Sequence, residues 1–143
     1  MTGRLDTEIN RHLQDLSGLS QGDYGILVAL SEAPAERLRP FELGRELNWE
    51  QSRLSHHLSR MVKRDLVERE NCSEDRRGAF VVLTAAGRQA IENAAPAHVA
   101  AVRRLVFDAL SEQEVRTLAA VSDKVLARLD DAQAEEHGPT AAD

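Results

Sequence analysis

Aromatic residues are scarce, at 3% of 143 positions: three Phe, one Tyr and one Trp. A core with so few rings must be filled by Leu, Val and Ala, which suits helices packed on helices. There is one cysteine, Cys72, so no intramolecular disulfide can form and a Cys-rich zinc module is excluded. No apolar run approaches a membrane span, and the opening MTGRLDTEIN lacks the apolar core of a signal peptide. These absences predict a cytoplasmic protein with no membrane partner. Positive charge is short as well: 18 Lys and Arg stand against 24 Asp and Glu, a net charge of −6. Taken over the whole chain, that argues against a protein that coats nucleic acid generically. The sequence has no nucleophile–base pair, phosphate-binding loop, dinucleotide fingerprint or paired carboxylates, so no enzyme and no cofactor are expected. The five His (His12, His56, His57, His98, His137) show no metal spacing. Adjacent His56 and His57 would point about 100° apart on a helix and cannot chelate one ion from one face. Cys72, between Glu70 and Glu74, reads as an unreactive thiol.

What is present is apolar periodicity, 42% hydrophobic residues in all, enough for one compact domain. Leu5, Ile9, Leu13 and Leu16 form one stripe of a short helix that Ser17-Gly18 ends. Ser20 caps a second helix, with Asp23 favouring its N-terminus and Tyr24, Leu27, Val28 and Leu30 facing inward. Arg37-Leu38-Arg39 is a short extended piece. Residues 41–47 read as a two-turn helix with Phe41, Leu43 and Leu47 inward. Asn48 is expected as the N-cap of the next helix, with Gln51 as its box partner. That helix, from Glu50 to Arg64, buries Leu54, Leu58, Met61 and Val62. Leu66–Arg69 and Ala79–Leu83 flank the polar stretch 71–78, a hairpin with a long tip. Thr84 caps a long helix to about Leu110, with Pro96 expected to kink it. Ser111-Glu112-Gln113-Glu114 is a capping box that opens a last helix. The fold class expected is mainly α with a small β wing.

The outer face of the 50–64 helix carries chemistry. A short helix, a tight turn and a polar second helix make a helix-turn-helix, in which the second helix enters the major groove. The hairpin makes it a winged version. Arg53 can donate a bidentate pair to guanine and Gln51 can pair with adenine. Ser52, Ser55, His56 and Ser59 suit base edges or phosphates, and Arg60, Lys63 and Arg64 lie where phosphates run. Arg76 and Arg77 at the hairpin tip can reach a narrow minor groove. A polar helix face alone is more often a solvated surface; the turn before it and the Arg-tipped hairpin tip the balance to double-stranded DNA. Charge supports this. Residues 37–88 hold 11 Lys and Arg and 8 Asp and Glu, a net +3 that leaves −9 on the remainder. A competing reading is a winged-helix protein-interaction module without specific DNA binding.

The sequence resembles the MarR family of winged helix-turn-helix transcription regulators. The matching stretches include Asp23-Tyr24-Gly25-Ile26-Leu27, Leu30-Ser31-Glu32-Ala33-Pro34, Trp49-Glu50-Gln51-Ser52-Arg53-Leu54-Ser55-His56-His57-Leu58, Asp75-Arg76-Arg77-Gly78 and Leu83-Thr84-Ala85-Ala86-Gly87. The Trp-Glu-x-Ser-Arg-Leu-Ser-His form looks like an actinobacterial branch. The resemblance implies a homodimer with residues 1–20 and 84–133 as helical dimerisation region and residues 21–83 as DNA-binding domain; the closing stretch 134–143, AEEHGPTAAD, reads by its composition as a disordered tail. It implies a repressor bound to a palindromic operator and released by a small aromatic or phenolic ligand, with Arg11, His12, Tyr24 and His98 as candidate pocket residues. It also implies that Asp75 supports the wing by pairing with a basic residue such as Arg60 or Arg64. The first helix is shorter than is usual in the family, so its share of a dimer interface should be smaller.

Overall fold

The computed structural model describes residues 2–71 and 78–136. The elements are α1 (Thr2–Ser17), α2 (Gln21–Glu32), β1 (Arg37–Leu38), α3 (Pro40–Leu47), α4 (Gln51–Lys63), β2 (Val67–Asn71), β3 (Ala79–Leu83), α5 (Ala85–Leu105) and α6 (Glu112–Glu136). They divide into two units, Met1–Ala101 and Val102–Asp143.

In the first unit α2 is the centre, packed against α1, α3, α4 and β3. Its core is aliphatic: Leu13, Leu19, Ile26, Leu27, Leu30, Leu43, Leu54, Leu58 and Met61 are almost fully buried, with Val67 and Val81 from the sheet. Gly18 ends α1 in the left-handed region, at φ +70°, where a side chain would be strained. Ser20 then caps α2 through a complete box. Its hydroxyl accepts from the Asp23 N–H, and the Asp23 carboxylate accepts from the Ser20 N–H, both at 3.0 Å. The three strands form one antiparallel sheet in the order β1-β3-β2, so the short extended piece pairs with the hairpin. Thr84 caps α5 as expected. Its Oγ1 accepts from the Gly87 N–H at 2.9 Å and donates to the Asp65 carbonyl at 2.6 Å, tying α5 to the turn before β2.

Several sequence expectations need correction. Phe41 is 64% exposed rather than inward. On a helix it lies about 200° from Leu43, so the stripe that buries Leu43 turns Phe41 outward. Leu16 and Val62 are exposed as well, at the edges of their stripes. Asn48 does not cap α4. It closes α3 at φ +54°, with its N–H on the Arg45 carbonyl, and a left-handed residue cannot take the extended N-cap geometry. Glu50 is the N-cap, without a side-chain cap bond.

Helix α5 runs through the exposed Pro96 as a single helix and stops at Leu105, five residues before the expected Leu110. A 3-10 turn follows at Phe107–Ala109. In the second unit the predicted box opens α6: the Ser111 N–H reaches Glu114 Oε2 at 2.8 Å and the Glu114 N–H reaches Ser111 Oγ at 3.3 Å. The Ser111 N–H and the Ser111 hydroxyl, which donates to the same Oε2 at 2.9 Å, hold the Glu114 carboxyl below its ordinary pKa. Helix α6 extends to Glu136, three residues into the stretch expected to be disordered; residues 137–143 lie outside the described residues. Leu118, Val121, Val125, Leu126 and Leu129 are all about half exposed along it. Among the described residues no helix is long and apolar enough to cross a membrane.

Candidate nucleic-acid interface

Helices α3 and α4 meet at the three-residue turn 48–50. The Trp49 N–H closes it on the Gly44 carbonyl at 2.8 Å. Gly44 sits where the turn approaches closely: a Cβ there would displace the end of the Gln51 side chain and lie 3.2 Å from the Trp49 carbonyl. Burial of Leu54, Leu58 and Met61 then fixes the rotation of α4. Gln51, Ser52, Arg53, Ser55, His56, Ser59, Arg60 and Lys63 are consequently all exposed. The apolar stripe of α4 is what presents the polar face.

Not all of these side chains are equally available. Gln51 Nε2 donates to the Pro40 carbonyl at 3.2 Å, bracing α4 against the start of α3. Ser59 Oγ donates to the Ser55 carbonyl and receives Arg69 Nη2 at 3.4 Å. Arg69, on β2, was not singled out by sequence; it brings a cation from the sheet onto the α4 face, and nothing local to β2 signals that. The Arg53 guanidinium rests over the Trp49 ring, 4.1 Å from its centroid.

Arg64 is the clear departure. Expected at a phosphate, it turns inward instead: Nη1 donates to Asp23 Oδ2 at 2.7 Å and Nη2 to the Gly18 carbonyl at 2.8 Å. Asp23 is 5% exposed, the one charged residue in the core of the described chain. Its other oxygen receives His57 Nε2 at 2.8 Å, and Arg60 Nη2 lies 3.1 Å from His57 Nδ1. If Arg60 donates to Nδ1, His57 carries its proton on Nε2 and donates to Asp23, a tautomer that satisfies every member. Burial pushes the Asp23 carboxyl up, but the bonds from His57, the Ser20 N–H and Arg64 outweigh it and hold the group well below the usual carboxylate range. The network ties the α1–α2 junction to the second half of α4. Sequence showed Ser20 as a cap and Asp23 at the helix N-terminus; the partners, 34 and 41 residues away, carry no local signal.

On the sheet, Arg37 and Arg39 both lie over the Phe80 ring, at 4.4 and 4.3 Å. Arg37 also reaches Glu70 at 3.4 Å, and Arg39 Nη1 reaches the Gly78 carbonyl at 3.5 Å. The wing residues Asp75, Arg76 and Arg77, and Cys72, lie outside the described residues. The two partners considered for Asp75 are engaged elsewhere, Arg60 with His57 and Arg64 with Asp23.

Of the candidate pocket residues, Tyr24 and His98 come together, with ring centroids 4.2 Å apart. Burial raises the Tyr24 pKa and lowers that of His98, which favours both as neutral rings near pH 7. Arg11 is exposed and paired with Glu8 on its own helix; His12 is half-buried. Among the described residues no group of three His, Cys, Asp or Glu could hold a metal ion.

Comparison with known proteins agrees with this architecture. The MarR family pattern matches residues 17–78. AbsC, a MarR family transcriptional regulator from Streptomyces coelicolor, is 38% identical, with 91% of this chain and 87% of that one covered and a TM-score of 0.84. Sco3205, a MarR family regulator from the same organism solved in complex with DNA, is also 38% identical, with 90% and 83% covered and a TM-score of 0.84. The HTH-type transcriptional repressor YetL of Bacillus subtilis is 30% identical over 97 residues, 68% of this chain. The chain spans 58% of that repressor's length. From its winged helix-turn-helix and these likenesses, the chain belongs to the MarR family.

Proposed function

We propose that this protein is a dimeric, sequence-specific DNA-binding transcription regulator that acts in the cytoplasm as a repressor and catalyses no reaction. The observation that carries the reading is the outward face of α4, where Ser52, Arg53, Ser55 and His56 are exposed on a helix whose other face is locked into the core. Arg53 and Gln51 read base edges, and Arg60 and Lys63 meet phosphates. Arg64 is a brace that holds α4 in place. Arg76 and Arg77 enter the minor groove from the wing. The DNA complex of Sco3205 and the repressor YetL support the partner and the sign of regulation.

The half-exposed stripe Leu118, Val121, Val125 and Leu129 recurs at spacings of three and four along α6. Exposed apolar rows of this length call for a partner, and a second copy of the chain supplies one. Two copies place two α4 helices on a palindrome with half-sites about one helical turn apart. The neutral Tyr24–His98 pair is the best support for a flat aromatic or phenolic ligand that releases the DNA. Such a ligand must bind the DNA-free conformer better than the DNA-bound one.

Fluorescence anisotropy with duplexes from the DNA flanking its own gene tests the reading. Two phosphate contacts per protomer, from Arg60 and Lys63, give the dimer a slope of log affinity against log salt of about −3.6 or steeper. Binding that prefers no sequence at moderate salt would overturn the proposal. So would binding that is indifferent to salt.

A further inference from the structure

Trp49 is the only tryptophan in the chain, and it stands one residue ahead of the N-cap of α4. It is half-buried rather than sealed in the core. Two side chains of α4 lie against its ring. Arg53 Cζ sits over it at 4.1 Å from the centroid, and the His57 ring meets it edge-on at 5.2 Å. The third wall is α2. A Cβ on Gly22 would lie 2.9 Å from Trp49 Cη2 and 2.7 Å from His57 Cε1, so only glycine leaves room for both rings. His57 is fixed in turn by its bond to the buried Asp23 at 2.8 Å. The indole is thus wedged between α2 and a pinned imidazole, with one face left for Arg53.

That arrangement has a chemical consequence. A guanidinium laid over a ring uses its π face and leaves its five N–H donors at the edge. An ion pair would occupy the same donors that a base needs. Among the described residues Arg53 has no ion pair or hydrogen bond. An exposed arginine without such a platform samples many rotamers and must be ordered at the moment of binding.

We propose that Trp49 is a positioning residue for Arg53. Its indole, seated by Gly22 and His57, holds the guanidinium in the orientation that reads a base edge, and so sets base preference at one position of each half-site. The inference rests on the DNA-binding reading and adds to it the residue that determines specificity without touching DNA.

The test uses the full chain and a panel of duplexes in which each base pair of the half-site is varied singly. Arg53→Ala first identifies the position that Arg53 reads. Trp49→Leu is expected to flatten discrimination at that same position by between about twofold and thirtyfold, the range of a guanidinium–ring contact, and to leave preferences elsewhere unchanged. Trp49→Phe, which keeps a ring and the fold, is expected to give a smaller loss at the same position. In the free protein, proton NMR should show the Arg53 side-chain signals displaced upfield by the indole ring current, and Trp49→Leu should abolish that displacement. A uniform loss of affinity across the panel in both Trp49 variants would show a merely structural role and overturn the proposal. Wild-type discrimination at the Arg53 position in both variants would overturn it too. In either case, if Arg53→Ala still flattens one position, the DNA-binding reading stands and only the role of Trp49 fails. A wild-type protein with no base preference at all overturns both.

Discussion

Asp23→Asn is the most informative single substitution for the fold, because it keeps the shape of the side chain and removes its charge. The carboxylate accepts three donors: His57 Nε2, Arg64 Nη1 and the Ser20 N–H. An amide has one oxygen, so its NH2 group faces either a donor or a His57 ring that must switch tautomer and give up its bond from Arg60. Hydrogen bonds to a charged group contribute about 1.5–3 kcal/mol and neutral ones about 0.5–1.5 kcal/mol. Breaking a buried ion pair by removing one partner costs about 3–5 kcal/mol. Here Arg64 is 45% exposed and keeps its bond to the Gly18 carbonyl, so the lower part of that range applies. The expected destabilisation is about 2–4 kcal/mol, or roughly 4–16 °C in Tm for a chain of this size. Urea unfolding of wild type and variant at equal protein concentration measures it. The pH dependence gives an independent check. The Asp23 pKa is depressed in the folded state, so its stabilisation is present above the ordinary carboxylate value of 3.8 and is lost as pH falls toward the folded pKa. The gap between wild type and Asp23→Asn should be full at pH 7 and shrink below about pH 4. A difference under about 0.5 kcal/mol at pH 7, or a gap that stays constant into acid, would refute the reasoning.

Four other substitutions separate the DNA contacts, the α6 surface and the core. Arg53→Ala should reduce discrimination by about 1–3 kcal/mol at one base pair per half-site, whereas Lys63→Ala should weaken all sequences alike and lower the salt slope by about 1 per protomer; anisotropy titrations distinguish them. Val125→Glu puts a charge into the α6 stripe and should shift the protein from dimer to monomer in sedimentation at micromolar concentration, with operator affinity falling in parallel. Gly87→Ala places a methyl against the Leu66 carbonyl, which is backbone and cannot swing away, so unfolding should show a loss of about 1–3 kcal/mol.

Sequence patterning located the elements well where a local rule governs them. Ser20, Thr84 and Ser111 cap the helices that follow them because a side chain three residues from its partner needs no tertiary help. The α4 face was legible for the same reason, since Leu54, Leu58 and Met61 dictate what points outward. Patterning failed where two local signals compete. Asn48 has the chemistry of an N-cap and of a left-handed C-cap, and the close approach of Trp49 to Gly44 decides for the second. It failed also where the partner is far away in sequence. Arg64 looks like any cation at a helix end until Asp23 is brought under it, and Trp49 reads only as part of a turn until Gly22 opens a slot beside it. The −6 of the whole chain was the least informative number, because it averages a net +3 over residues 37–88 with −9 on the remainder.

The central claim is that the outward face of α4 reads a DNA sequence. Selection of bound duplexes from a randomised pool by the full-length protein, followed by sequencing, tests it most directly. Enrichment of an inverted repeat with half-sites about one helical turn apart is expected, with loss of one base preference per half-site in Arg53→Ala. A pool that emerges with the composition it entered with, at a salt concentration where the protein binds DNA, would contradict it.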